Sequence, residues 1–318
     1  MHLPVTVFAP VSIGNVSVGF DSLGLALQPV DGAWLGDRVH VSAANEPAFT
    51  LLGRFADRLP ADRESNIVWH VLQAFDAALV DRGGQPVPVH LTLYKDIPVC
   101  SGLGSSACSV VAAFAALNEF HDRPFNDDEL LRLMGQAEAQ ISGSLHYDNV
   151  APCFLGGMQL MLQDQSEVAL SLPLFDELYW VLAYPDVLVS TQAARALLPP
   201  QYSRTTLIRF GQNLAAFVAA CYRQDQALAM ALLKDEIAEP YRAELLPDYH
   251  HTQTQLRAMG ALAVGISGSG PTIFAACDDL ALAQQQAAWL QQNYLQTEAG
   301  FVTICRADSQ GTRTVEDQ

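Results

Sequence analysis

The sequence predicts an α+β fold, on three observations. Apolar residues recur with period two in some segments and at helical spacing in others, so strands and helices are both present. The two kinds do not alternate as strict βαβ units, which argues against a doubly wound parallel sheet. A chain of 318 residues, half of them apolar, can bury more than one core, and Leu162–Glu177 is the best candidate for a junction. The expected division is residues 1–165 and 166–318.

In chain order, Leu3–Ala9 alternates and is rich in β-formers, and a Gly/Ser/Asn segment follows it to Asp21. Asp37–Ala43 and Val89–Tyr94 read as strands. Ser65 reads as the N-cap of a helix that carries Ile67, Val68, Val71, Leu72 and Phe75 on one face. A helix begins near Ala107, with Val110, Val111, Phe114 and Leu117 at helical spacing. Asn126 and Glu129 form a capping-box pattern ahead of a stripe through Leu130, Met134, Ala137 and Ile141. Strands are expected at Gly157–Leu162 and Tyr179–Ala183, a helix after Ser190, and a long helix around Leu214–Lys234. The tail reads as strand, loop and strand over Ala261–Cys277, a helix over Leu280–Asn293, and a strand at Phe301–Cys305.

Charge narrows the function. With 17 basic against 34 acidic residues the net charge is −17, which disfavours nucleic acid and anionic membrane surfaces as partners. An anionic substrate must therefore meet locally placed basic groups or backbone N–H donors. No membrane span or signal-peptide layout is expected. The six cysteines are scattered without a CxxC pair, which suits reduced thiols in a cytoplasmic protein. The histidines lack metal-site spacing.

The chemical signal is the loop Pro98-Val99-Cys100-Ser101-Gly102-Leu103-Gly104-Ser105-Ser106-Ala107-Cys108, between a strand and an amphipathic helix. Glycines let the backbone approach a ligand, and the helix N-terminus offers free N–H donors and a favourable dipole to phosphate. It is not a GxxxxGK[ST] loop. It fits GxGxx[GA], but the second parallel strand and the acidic residue of a dinucleotide site are missing.

Three segments together resemble the GHMP kinase superfamily: Ala9–Asp21 (APVSIGNVSVGFD), the SGLGSSA core of the glycine loop, and Gly265–Thr272 (GISGSGPT). Within it, the stretches 141–152 and Ile237–Arg242 resemble the bacterial homoserine kinases. Cys100 departs from that pattern, which often has Gly there. The resemblance implies an N-terminal domain like the second domain of ribosomal protein S5, a ferredoxin-like C-terminal domain, and a homodimer. It implies ATP and Mg²⁺ beside the glycine loop, and L-homoserine as acceptor in threonine biosynthesis.

The same resemblance assigns the residues. Asp21 would take the substrate ammonium with Asn15 as companion, and Arg195 and Arg242 its carboxylate, with His146 nearby. Asn149 would orient the hydroxyl, where other GHMP kinases place an aspartate as base. The hydroxyl proton would then pass to a phosphate oxygen, an assignment that the neighbouring Asp148 puts to the test. Glu138 would hold Mg²⁺ together with Ser105 or Ser106. Asn66 is a candidate adenosine contact, Thr191 a phosphate contact, and the turn Ser267–Gly270, with Ser267 and Gly268 toward ATP, would close over substrate or phosphates. Without the resemblance, Asn15 and Asp21 read as turn residues and Asn66 as a helix start, while Glu138, at the edge of its helix's apolar stripe, reads as half-buried or as an ordinary exposed glutamate. The competing readings are a mevalonate- or sugar-type GHMP kinase, a dinucleotide-dependent oxidoreductase, and a ligand-binding regulator without catalysis.

Overall fold

The computed structural model describes residues 3–60, 62–143, 145–163 and 165–316, without the side chains of 141 and 142. In chain order the elements are β1 (Val5–Pro10), β2 (Ser12–Gly14), β3 (Leu23–Pro29), β4 (Gly36–Ala43), β5 (Ala48–Leu52), α1 (Ile67–Asp81), β6 (Val89–Tyr94), α2 (Ser105–Phe120), α3 (Asp127–Ser142), α4 (Val150–Leu155), β7 (Met158–Met161), β8 (Ala169–Leu172) and β9 (Tyr179–Tyr184). They continue with α5 (Thr191–Ala196), α6 (Arg204–Arg223), α7 (Gln226–Leu232), α8 (Glu239–Arg242), α9 (Tyr249–Ala258), β10 (Ala263–Ile266), β11 (Ile273–Cys277), α10 (Leu280–Asn293), β12 (Phe301–Ala307) and β13 (Arg313–Val315). This is the expected α+β architecture.

One sheet runs β13-β1-β4-β6-β5, with only β5 and β6 parallel. The other runs β10-β11-β9-β12-β3-β7-β8, with β2 also on β3. The tail of the chain thus returns to its beginning. β12 pairs with β3, Cys305 facing Pro29, and β13 pairs with β1. The proposed units 1–165 and 166–318 are therefore stitched together by backbone hydrogen bonds, and β8, inside the expected junction, pairs with β7.

α2 carries Ala, Val and Phe on every side and is buried nearly throughout, packed between the first sheet and helices α1 and α3. A helix apolar all round belongs inside a core. Its placement fixes the glycine loop at its N-terminus.

Two expectations need correction. The cap of α1 is Asn66, whose Oδ1 accepts from Val68 N, while Ser65 donates to Asp62. The long helix expected over Leu214–Lys234 is two helices. It breaks at Gln224, which sits in the left-handed region (φ 56°), and Asp225 caps the next helix. The capping box at Asn126 and Glu129 is formed as expected. All six cysteines are free thiols. Among the described residues no helix is long and apolar enough to cross a membrane.

Candidate active site

The three motif segments meet, although they lie far apart in sequence. Ser12 N donates to Leu103 O at 3.2 Å, Gly268 N to Gly14 O at 3.2 Å, and Thr272 N to Ser101 O at 3.1 Å. Ser267 Oγ donates to Gly102 O at 2.7 Å. Gly102 adopts φ 80°, and a Cβ there would lie 2.5 Å from Ser267 O, so only glycine permits the approach. The segment 15–17 is wound left-handed, with φ of 69°, 44° and 54° at Asn15, Val16 and Ser17. For β-branched Val16 this is strained backbone, of the kind that gathers at functional sites.

A single pocket gathers most of the expected residues: Asn15, Asp21, Val99, Cys100, Ser101, Gly102, Gly104, Ser105, Ser106, Glu138, His146, Asn149, Thr191, Arg195, Arg242 and Gly268. Ser269, within the expected turn Ser267–Gly270, lines it too, as does Asp148, to which sequence reasoning had given no role. Leu103, Ala107, Cys108 and Ser267 are buried outside its lining, and Pro98 also stands outside it. Asn66 is buried as a helix cap and does not line the pocket either. Thr191 begins α5 behind the Ser190 cap, its hydroxyl 3.4 Å from that of Ser269.

The two loop serines separate. Ser106 Oγ donates to Glu138 Oε1 at 2.5 Å, whereas Ser105 Oγ turns inward to Ile97 O at 3.2 Å. Successive residues of a helix point about 100° apart, so only one can face the carboxylate. The metal expectation therefore narrows to Glu138 and Ser106. Burial pushes Glu138 up to about 7 against the Ser106 hydrogen bond, and Asp148 raises it further.

Asn149 ends the loop before α4. Its Oδ1 accepts from Ser12 Oγ at 2.9 Å, and its Nδ2 lies 3.4 Å from Asp148 Oδ2. A Cβ on Gly14 would sit 2.5 Å from Asp148 Oδ2, so β2 lies directly against these two side chains. Asn15 spends its own amide on the loops, donating to Gly268 O at 3.2 Å and accepting from Asp21 N at 2.9 Å.

The charged end of the pocket holds Asp21, Arg195, Arg242 and His146. Arg195 grips Asp21 with two parallel bonds, of 3.1 and 2.8 Å. His146 Nδ1 stands 3.7 Å from Asp21, and burial lowers the imidazole's pKa. Arg242 is buried and donates to Gly268 O at 3.1 Å. Both guanidiniums lie over the Phe20 ring, at 5.7 and 5.5 Å from its centroid.

Behind the loop lies a buried ion pair that the sequence did not reveal. Lys95 Nζ donates to Asp37 Oδ2 at 2.5 Å, to Ser105 O at 2.7 Å and to Ser109 Oγ at 3.0 Å. Asp37 Oδ1 accepts from Asp96 N and Ile97 N at 3.0 and 3.1 Å.

Asp148 also gives a pH prediction. Its carboxyl is raised to about 7, first by burial and then by Asp21. A raised acid favours its protonated form in the fold. Its contribution to stability is complete below the ordinary carboxylate range and is lost as pH rises through about 7. Urea midpoints measured from pH 4 to 8 should fall less for Asp148→Asn than for the parent. Equal slopes would mean that Asp148 is ionised throughout.

A glycine loop at a helix N-terminus, an acid held against its serine, and a charged cleft beside it form an arrangement chemically suited to phosphoryl transfer onto a small molecule. Comparison with known proteins agrees. The family model for the GHMP kinases N terminal domain matches residues 66–157, and that for GHMP kinases C terminal matches residues 217–295. The chain is similar to the homoserine kinase of Cytophaga hutchinsonii, 31% identical over 98% of this chain and 97% of that one, with a TM-score of 0.87. It shares its fold with the L. major mevalonate kinase solved with R-mevalonate (14% identity, 96% and 99% coverage, TM-score 0.70). It does so also with the phosphomevalonate kinase of Streptococcus pneumoniae (12% identity, 95% and 99% coverage, TM-score 0.71). The chain belongs to the GHMP kinases, a family whose phosphate donor is ATP.

Proposed function

We propose that the protein transfers the γ-phosphoryl group of ATP to the side-chain hydroxyl of L-homoserine, giving O-phospho-L-homoserine. The observation that carries this reading is one pocket with a phosphate-binding loop at one end and an acid with two arginines at the other. A zwitterion with a hydroxyl fits such a cleft: ammonium to Asp21, carboxylate to Arg195 and Arg242, hydroxyl toward Asn149. The 31% identity to a homoserine kinase supports the same acceptor.

The residues present suit Mg²⁺. Glu138 and the Ser106 hydroxyl are hard oxygen donors in contact with each other, and a cation's charge would offset the effect of burial that raises the Glu138 carboxyl. When bound, the ion would neutralise charge on the transferred phosphate oxygens. The chain's own share is placement. Backbone N–H groups of the glycine loop hold the phosphates, and Asn149 aims the hydroxyl. An amide is no base at neutral pH, and in this reading the hydroxyl proton passes to a phosphate oxygen; Asp148, 3.4 Å from the Asn149 amide and raised to about 7, is the carboxyl that would take it instead. A loose transition state leaves most of the rate to positioning and charge. The product is the precursor of threonine, which puts the reaction in threonine biosynthesis. On the same resemblance we assign a homodimer working in the cytoplasm, which light scattering and fractionation would check.

The test is ADP release with Mg²⁺-ATP against L-homoserine, L-serine, mevalonate, galactose and shikimate. Release with homoserine alone is expected. Release with another acceptor and not with homoserine would overturn the substrate and leave the family standing.

A further inference from the structure

We infer that Arg58 positions α5 over the pocket through Asp186, although neither residue lines the pocket. The inference rests on the reading in which Thr191 and Arg195 of α5 meet phosphate and acceptor, and it adds a positioning residue to that reading.

α5 is six residues long, too short to hold as a helix by itself, and its buried residue is Ala194. Thr191 and Arg195 stand one helical turn apart, so they share the face turned to the pocket and move together if the helix tilts. On the pocket side α5 is held by the Thr191–Ser269 contact of 3.4 Å, by the Arg242 bond to Ala194 O at 3.5 Å and by the Arg195–Asp21 pair. The first two are long, and the third involves groups that a ligand meets.

Away from the pocket the hold is closer. Asp186, just ahead of α5, sits in the left-handed region (φ 60°). Arg58 Nη1 lies 2.8 Å from its Oδ1, the Tyr184 hydroxyl donates to the same oxygen at 3.2 Å, and Thr297 Oγ1 donates to Oδ2. Arg58 is itself fixed over the ring of the buried Phe55, whose N–H donates to Lys95 O at 2.9 Å. Lys95 directly follows β6 and leads into the glycine loop. One line of contacts thus runs from the root of the glycine loop to the root of α5, and sets how far Thr191 and Arg195 stand from the phosphate-binding backbone. It lies outside the pocket lining, so a bound ligand leaves it intact.

The experiment compares Arg58→Met, Arg58→Lys, Asp186→Asn and the double variant of Arg58→Met with Asp186→Asn, by hydrogen exchange without ligand and by steady-state kinetics. Asparagine tolerates the left-handed backbone, so Asp186→Asn removes the charge and keeps the turn. In Arg58→Met the α5 amides should exchange about tenfold faster, while β9 and α2 keep the parent's rates. Its kcat/KM for homoserine should fall by about 10–100-fold, the effect of misplacing binding groups by about 1 Å. The melting midpoint should barely move, since a part-exposed ion pair adds little to stability. Arg58→Lys should recover part of the loss. Asp186→Asn and the double variant should match Arg58→Met, because each removes the same clasp. Parent-like α5 exchange or parent-like kcat/KM in both Arg58→Met and Asp186→Asn would overturn the inference. So would faster exchange throughout the protein with a lowered midpoint, or a double variant whose loss is the product of the single losses. If the parent turns over a different acceptor, the homoserine reading falls, and the same variants assayed with that acceptor decide the clasp.

Discussion

Glu138→Ala is expected to lower ATP-dependent turnover by about 10²–10³-fold, the size of loss seen when one preorganised electrostatic group is removed from a transition state. The variant should fold as well as the parent does. Glu138 is pushed up to about 7 chiefly by burial, so its ionised form is a burden on the fold rather than a support. Thermal melting at pH 8 should show a midpoint equal to or above that of the parent. Glu138→Gln keeps the volume and an acceptor for Ser106, yet it should lose nearly as much activity because the charge is what matters. Unchanged turnover in either variant would remove Glu138 from the metal site. Loss of turnover together with a lowered midpoint would mean that the residue is mainly structural.

Lys95→Met should destabilise the protein by about 3–5 kcal/mol, the usual effect of leaving one member of a buried pair without its partner. Lys95 and Asp37 are only 2% and 0% exposed. Once the ammonium is gone, the Asp37 carboxylate keeps its Ser109 and backbone donors but has no compensating charge. Replacing both, with Lys95→Met and Asp37→Leu, should recover part of the loss. Recovery stays partial because Asp96 N and Ile97 N lose the Asp37 carboxylate as partner. Urea denaturation measures all three proteins. A loss under about 1 kcal/mol for Lys95→Met would place the pair among those worth no more than surface contacts. The pair ties β6 to the first turn of α2 across the glycine loop. The double variant should therefore show a raised ATP KM even where stability returns.

What was legible in the sequence was local. The glycine loop, the capping box at Asn126 and the helix Leu280–Asn293 are each written in a short window, and each stands where expected. The charged residues of the pocket came from motif resemblance, since nothing about Arg195 by itself distinguishes it from a solvated arginine. What was not legible depended on distance or direction. Lys95 and Asp37 are far apart in sequence, and a charged residue in an alternating strand reads as the solvent side. Ser105 and Ser106 are chemically identical neighbours, and only the helix phase separates them. The break at Gln224 carries no glycine to announce it, because the side chain bonds to Leu174 O and Cys221 O and holds the left-handed turn. β5 and β8 are half-exposed strands with weak alternation, and their pairing partners supply the order that their own residues do not.

The pairing of β12 with β3 and of β13 with β1 has a consequence for the growing chain on the ribosome. β1 and β3 emerge first, and each must wait for a partner made more than two hundred residues later. Until then β1 has β4 on one side and an open edge on the other. Distant pairings of this kind slow folding, because the loop must close before the contact rewards it. Nascent chains halted before residue 301 should hold the glycine loop without the finished sheets around it, and would present three open edges, on β1, β3 and β9, to any chaperone that reads unpaired strands.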